Sequence, residues 1–310
     1  VVGDWGRDGA FWQIHVARAM KALSDSFGSE FVVSTGDNFY PWGVKSARDP
    51  QWESSFERIY DPSLGSWYVT PGNHDYAGRI EAQVERTSRS DRWQMPNYFH
   101  DLVIARPGLP AVHLFFIDTV AWKGASSTTW GMFSTPPDEQ RQLEQRIWLT
   151  QKLRSSTAPV KLVFGHHPIY SVGKYGGKKR MDDLDLLLRR HNVSAYVNGH
   201  DHTMYHITHG PMHYVCSGAG SEMRPGYKGG PLPGCVHQPC FAGPPAQSPD
   251  PVWHAYFGKL PGTPFNMEGG VALFEVTASD VNVTFYDHQT RPRHRAVLAR
   301  LPTVSTAIGS

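Results

Sequence analysis

Five short apolar runs in this chain each end in a residue able to hold a metal ion. They are Val1-Val2-Gly3-Asp4, Phe31-Val32-Val33-Ser34-Thr35-Gly36-Asp37-Asn38, Trp67-Tyr68-Val69-Thr70-Pro71 leading to Gly72-Asn73-His74-Asp75, Leu162-Val163-Phe164-Gly165-His166, and Ala195-Tyr196-Val197-Asn198-Gly199-His200-Asp201-His202. One such tip alone reads as an ordinary turn. Five in succession point to strands whose carboxyl ends lie side by side, where ligands gather in α/β proteins. Asp4, Asp37, Tyr40, Asn73, His166, His200 and His202 then form a donor set of oxygen and nitrogen without thiolate. Such donors suit Fe, Zn or Mn, a carboxylate such as Asp37 can bridge two ions, and paired ions suit phosphoryl displacement. Alternation along an extended backbone would put His200 and His202 on one face.

The elements that must carry these tips follow from periodicity. Apolar residues at helical spacing predict helices through Phe11, Ile14, Val16, Met20 and Leu23, over 50–60 behind Asp49-Pro50, through Leu143, Ile147 and Leu153, and from Met181 to Arg190. Val112 to Thr119 reads as another central strand, with Asp118 as a strand-end turn residue or a hydrogen-bond acceptor behind the ligands. Residues 77–100 are charged and poor in aliphatics, the pattern of a surface excursion. Beyond His202 come strands at His213–Val215, Val271–Val276 and Val281–Tyr286, the last two joined as a hairpin about Ala278-Ser279-Asp280. A Gly- and Pro-rich stretch around 217–264 reads as a long loop beside the site. The alternation of strand and helix predicts a single α/β domain over 1–310.

A net charge of +2, with no basic run longer than Lys178-Lys179-Arg180, gives no case for nucleic acid. No apolar run approaches the ~18 residues of a membrane span. Cys235 and Cys240 are close enough in sequence to bridge, and Cys216 reads as a buried free thiol. Asn192-Val193-Ser194 and Asn282-Val283-Thr284 match glycosylation acceptors. The first residues lack the pattern of a signal peptide and open directly on strand-like residues, so an upstream segment is expected to have been removed or left out. The oligomeric state is not legible.

Taken together, Gly3-Asp4-Trp5-Gly6, Gly36-Asp37-Asn38-Phe39-Tyr40, Gly72-Asn73-His74-Asp75, Gly165-His166-His167-Pro168 and Gly199-His200-Asp201-His202 resemble the metallophosphoesterase superfamily. Tyr40, placed soon after Asp37, makes the chain look like a purple acid phosphatase of the small tartrate-resistant type. Ser217-Gly218-Ala219-Gly220 and the closing hairpin fit the same family. The resemblance implies a four-layer αββα sandwich, two mixed sheets flanked by helices. It also implies that Asp4, Tyr40 and His202 hold Fe3+, that Asn73, His166 and His200 hold a divalent ion (Fe2+, Zn2+ or Mn2+), and that Asp37 bridges them. The activity implied is that of an acid phosphatase, cleaving small phosphate monoesters or phosphoproteins by attack of metal-bound hydroxide. The location implied is secreted, lysosomal or vacuolar, or at the cell surface.

His74 is the candidate for stabilising the phosphoryl group and protonating the leaving oxygen, with Asp75 as its orienter, and a protonated imidazole favours acidic operation. Asn73, His74 and Tyr175 are the expected substrate-side residues. Tyr175 stands where the family's small members carry a further His, and a phenol cannot replace it as an acid-range proton switch. Lys123 stands where one of the cysteines tying the family's central loop would fall, so control by cleavage of that loop is not expected. Two other functions fit the donor set: a Mn or Zn phosphodiesterase or nucleotidase of the same superfamily, and a non-catalytic metal-binding surface protein.

Overall fold

The structure is a computed structural model that describes residues 1–124, 139–173, 181–224, 252–256 (backbone only) and 269–301. Tyr175, the Lys178-Lys179-Arg180 run, Cys235 and Cys240 lie outside these residues, as does most of the Gly- and Pro-rich stretch. Among the described residues no helix is long and apolar enough to cross a membrane.

One sheet orders its strands β10 (Val252–Tyr256), β8 (Met204–His209), β9 (Met212–Ser217), β7 (Ala195–Asn198), β6 (Val160–Phe164), β5 (Val112–Phe116) and β4 (His100–Ile104). It is mixed: β5, β6, β7 and β9 run parallel, and antiparallel strands close both edges. The facing layer has two three-stranded parts, β1 (Phe31–Ser34), β2 (Ser66–Val69) and β3 (Trp93–Gln94), and β11 (Gly270–Val276), β12 (Asp280–Asp287) and β13 (Pro292–Arg300). The first residues stitch these parts together. Val2 pairs with Ser34, while the Val1 carbonyl accepts the Ala272 amide at 3.1 Å. The predicted first strand is thus a single bridge at Val2, short because the Gly3 amide already donates to the Ser217 carbonyl.

Val33, Leu114, Leu162, Phe164, Val283 and Phe285 fill the space between the sheets. Helix α1 (Gln13–Phe27) covers the outside of one through Val16, Met20 and Leu23, and α4 (Glu139–Ser155) and α5 (Asp182–Arg190) cover the other through Leu149, Leu153, Leu184 and Leu188. This is the predicted four-layer sandwich. His206 of β8 adds a polar tie between the layers, bonding His213 at 2.8 Å and His294 of β13 at 3.0 Å.

Several local readings differ from the structure. Phe11 and Ile14 are exposed because α1 starts only at Gln13 and turns Val16, Met20 and Leu23 inward. In α4, Leu143 and Ile147 are likewise exposed. The buried face is that of Gln145, Leu149 and Leu153, since the Gln145 amide is needed against the Asp118 backbone, accepting its N–H at 2.6 Å and donating to its carbonyl at 2.9 Å. Asp118 caps α3 (Thr119–Lys123), accepting from the Val120 and Ala121 amides. Residues 77–100 are not a surface excursion: they hold α2 (Glu81–Thr87) and β3, and Trp93 and Met95 are fully buried. Aromatic packing replaces the missing aliphatics there, with Trp93 edge-on to Trp52 and Phe56. Asn282 is buried within β12, which removes its sequon from consideration, whereas Asn192 is exposed. Cys216 is a buried free thiol as expected.

Candidate metal centre

The carboxyl ends of the strands deliver the donors on backbone that is bent away from the extended form. Asp4, Asp37 and His200 all have positive φ, 60°, 52° and 67°, a region that non-glycine residues adopt at a cost and that clusters at functional sites. Two glycines make the crowding feasible. A Cβ on Gly199 would lie 2.5 Å from Asp4 Oδ2, and one on Gly72 would lie 2.3 Å from Asp37 Oδ1. Beneath the tips, Trp5 packs edge-on against Phe39, Tyr60 and Trp67, and its indole N–H donates to Ser34 Oγ at 2.9 Å. The loop carrying Asp37 to Tyr40 therefore rests on a rigid aromatic bed.

The predicted donors gather in two groups. In the first, Tyr40 Oη lies 2.9 Å from Asp4 Oδ1, 2.8 Å from Asp37 Oδ2 and 3.1 Å from His202 Nε2. In the second, His166 Nε2 lies 3.3 Å from Asp37 Oδ1, 3.1 Å from Asn73 Oδ1 and 3.1 Å from His200 Nδ1. Asp37 thus presents one oxygen to each group. His200 and His202 do not share a face as expected. The left-handed turn at His200 sends that ring toward His166, while His202 faces Tyr40.

The chemistry of this set fits a pair of cations. His166 Nδ1 lies 2.9 Å from the Thr35 carbonyl, which can only accept, so Nδ1 carries the proton and Nε2 turns its lone pair inward among oxygens. Without a cation only protons can balance the charge. Burial lowers the affinity of His166 for a proton, yet Asp37 more than compensates and holds its pKa up to about 9. Burial pushes Asp4 up to about 7, and His200 well below the usual imidazole range. Tyr40 is driven well above its usual value by burial and by the Asp37 and Asp4 carboxylates, with Arg7 opposing, so its phenolate needs a nearby cation to form.

His74 stands outside both groups. Its amide donates to Asp37 Oδ1 at 2.8 Å, Nδ1 donates to the Pro41 carbonyl at 2.7 Å, and Nε2 faces Asp37 Oδ2 at 4.0 Å. The Pro41 carbonyl orients the ring, not Asp75. Asp75 is fully buried and accepts from Gly72 N, Asn38 N and Nδ2, Phe39 N and Gln83 Nε2, which locks the tip of β1 to the tip of β2. Saturation is the physical reason for the correction: a carboxylate that accepts from five donors has no lone pair left to spend on an imidazole.

Sequence reasoning missed several supporting residues. Thr119 Oγ1 accepts the amides of His166 and His167 at 3.2 and 2.9 Å, and His167 itself is buried, its pKa pushed well down by burial. Arg7 and Glu222 approach Tyr40 and His202 from loops that carry no periodic signal.

The profile described as Calcineurin-like phosphoesterase matches residues 1–204. Purple acid phosphatase 4 of Arabidopsis thaliana is 33% identical over 308 residues, covering 95% of this chain and 81% of that protein. The chain belongs to the purple acid phosphatases. Like other members it is a dinuclear metal-dependent acid phosphatase, a hydrolase of phosphate esters. The tartrate-resistant acid phosphatase type 5 of Sus scrofa is 31% identical, with 96% of this chain and 86% of that one covered, in keeping with the small type expected. A solved structure described as GAP50, the anchor in the inner membrane complex of Plasmodium, has a TM-score of 0.75 at 22% identity over 98% of this chain and 88% of that one. At that identity the likeness extends to the fold of this purple acid phosphatase.

Proposed function

We propose that Asp4, Tyr40 and His202 hold Fe3+, that Asn73, His166 and His200 hold Fe2+, Zn2+ or Mn2+, and that the centre hydrolyses phosphate monoesters on small molecules or phosphoproteins. The observation that carries this reading is the division of the Asp37 carboxylate, Oδ2 toward the group with the phenol and Oδ1 toward the group with two imidazoles. When bound, the ions would offset phosphoryl charge and supply a water acidic enough to attack phosphorus. His74 supplies the proton. With Nδ1–H committed to the Pro41 carbonyl, the proton that the imidazolium can release sits on Nε2, the atom facing the centre. The half-buried Asn73 and His74 also flank the space a phosphoryl group would enter.

The test is to load the protein with iron, oxidise it and record its absorption beside turnover of a chromogenic phosphate ester. A phenolate-to-iron band is expected, and Tyr40→Phe should bleach it without changing the far-UV circular dichroism. Full activity with Mn or Zn and no visible band in the iron-loaded wild type would defeat the iron assignment in favour of the phosphodiesterase or nucleotidase reading. A secreted, lysosomal, vacuolar or cell-surface location is part of the proposal, supported by the exposed Asn192 in its sequon. A glycosidase-sensitive mass lost in Asn192→Gln would support it, and an unmodified chain from a secretory host would count against it.

A further inference from the structure

Arg7 lies against the candidate ferric ligand in an arrangement that the coordination set does not require. Its guanidinium carbon is 3.6 Å from the centre of the Tyr40 ring. Its Nε donates to Ser221 Oγ at 3.0 Å, and Ser221 Oγ donates in turn to the Asp4 carbonyl at 2.5 Å. Glu222 Oε2 is 3.3 Å from the guanidinium and 3.4 Å from both His202 Nδ1 and the Arg224 guanidinium. Only 14% of the Arg7 side chain is exposed, so the charge is poorly screened and held in one place. A guanidinium keeps its charge at any working pH.

We propose that Arg7, anchored by Glu222 and Ser221, is a positioning residue that tunes the iron–phenolate pair by placing a fixed positive charge over the face of Tyr40. The inference rests on the iron assignment made above. Ligand-to-metal charge transfer moves an electron from the phenolate ring to the metal. A cation against the ring face stabilises the ring electrons more than it stabilises orbitals on an ion beyond Oη, so it raises the transition energy. The same charge favours the reduced ion. Glu222 serves both arms: it holds the guanidinium in place, and its carboxylate beside His202 Nδ1 favours the tautomer whose Nε2 lone pair faces Tyr40.

The test uses the iron-loaded, oxidised protein and reads band position and reduction potential, with circular dichroism as the fold control. Arg7→Met keeps length and removes charge. It should move the band to longer wavelength by roughly 20 nm, the size expected for a unit charge this close to the ring at an effective dielectric of about 20. The iron potential should fall. Arg7→Lys should restore much of both shifts, and Glu222→Gln should shift the band in the same direction by less. A wild type with the band, and Arg7→Met and Glu222→Gln within a few nanometres of it, would overturn the tuning role while leaving the iron assignment standing. A wild type with no band removes the iron assignment and this inference with it. If Arg7→Met fails to fold, Arg7→Gln, which also removes the charge, and Glu222→Gln decide the matter, and neither shifting the band overturns the role.

Discussion

Replacing Asp75 by Asn takes no atom from the donor set, yet it should loosen both ends of it. Asp75 Oδ1 accepts from Asn38 N, Phe39 N and Gln83 Nε2 at 3.0, 3.2 and 2.8 Å, and Oδ2 from Gly72 N and Asn38 Nδ2 at 2.8 and 3.1 Å. Whichever oxygen becomes an amide NH2, two or three buried donors lose their acceptor and meet another donor. At about 2 kcal/mol for each orphaned group, the middle of the ~1–3 kcal/mol range, the loss is roughly 4–6 kcal/mol. Part of it is returned. Burial and the nearby Asp37 charge push the Asp75 pKa up to about 7, so removing the charge relieves both, and a net cost of about 2–4 kcal/mol is expected. The orphaned amides adjoin Asp37 and Asn73, so both ions should bind more weakly too. Urea denaturation of the metal-free protein measures the first effect, and titration with Zn2+ or Mn2+ measures the second. A variant within about 1 kcal/mol of wild type that binds two ions undiminished would refute the argument.

Asp37→Asn should hold less than one tightly bound ion per chain and lose nearly all turnover, and two retained equivalents by metal analysis would exclude a shared carboxylate. His74→Ala should keep both ions and lose ~10²- to 10⁴-fold in rate with an alkyl phosphate but far less with a nitrophenyl ester, whose leaving group needs no proton. Equal slowing of the two substrates would mean that His74 stabilises phosphoryl charge and donates no proton. The half-buried His100, packed on Phe116, has its pKa lowered by burial to about 4. The unfolded chain takes up this proton near 6.5 and the folded chain only near 4, so stability should fall as pH drops through that window, by up to about 3 kcal/mol. His100→Phe should flatten that part of the stability-against-pH curve, and an unchanged slope would count against the assignment.

The candidate donors and their order along the chain were legible in the sequence because each is a local event. A short β-branched run, a glycine and a ligating side chain sit within a few residues, and the pattern needs no knowledge of distant parts. The strand-and-helix alternation was legible for the same reason, whereas the four layers were implied only by the family resemblance that the motifs carry. Elements built from polar or aromatic residues were not legible: β8 and β13 carry histidines and arginines, and the segment holding α2 and β3 packs through Trp93 and Met95. Orientation was the other loss. Helical spacing marked Leu143 and Ile147 as the inward face of α4, but the Asp118 backbone across the layer demands Gln145 there. Tertiary structure alone divided the Asp37 oxygens between two groups, separated His200 from His202 by a left-handed turn, took Asp75 away from His74 and brought Arg7 to Glu222 over Tyr40. Composition and spacing along the chain determine which chemistry can be present, whereas which lone pair meets which depends on long-range packing, where a rotation of one side chain changes the partner.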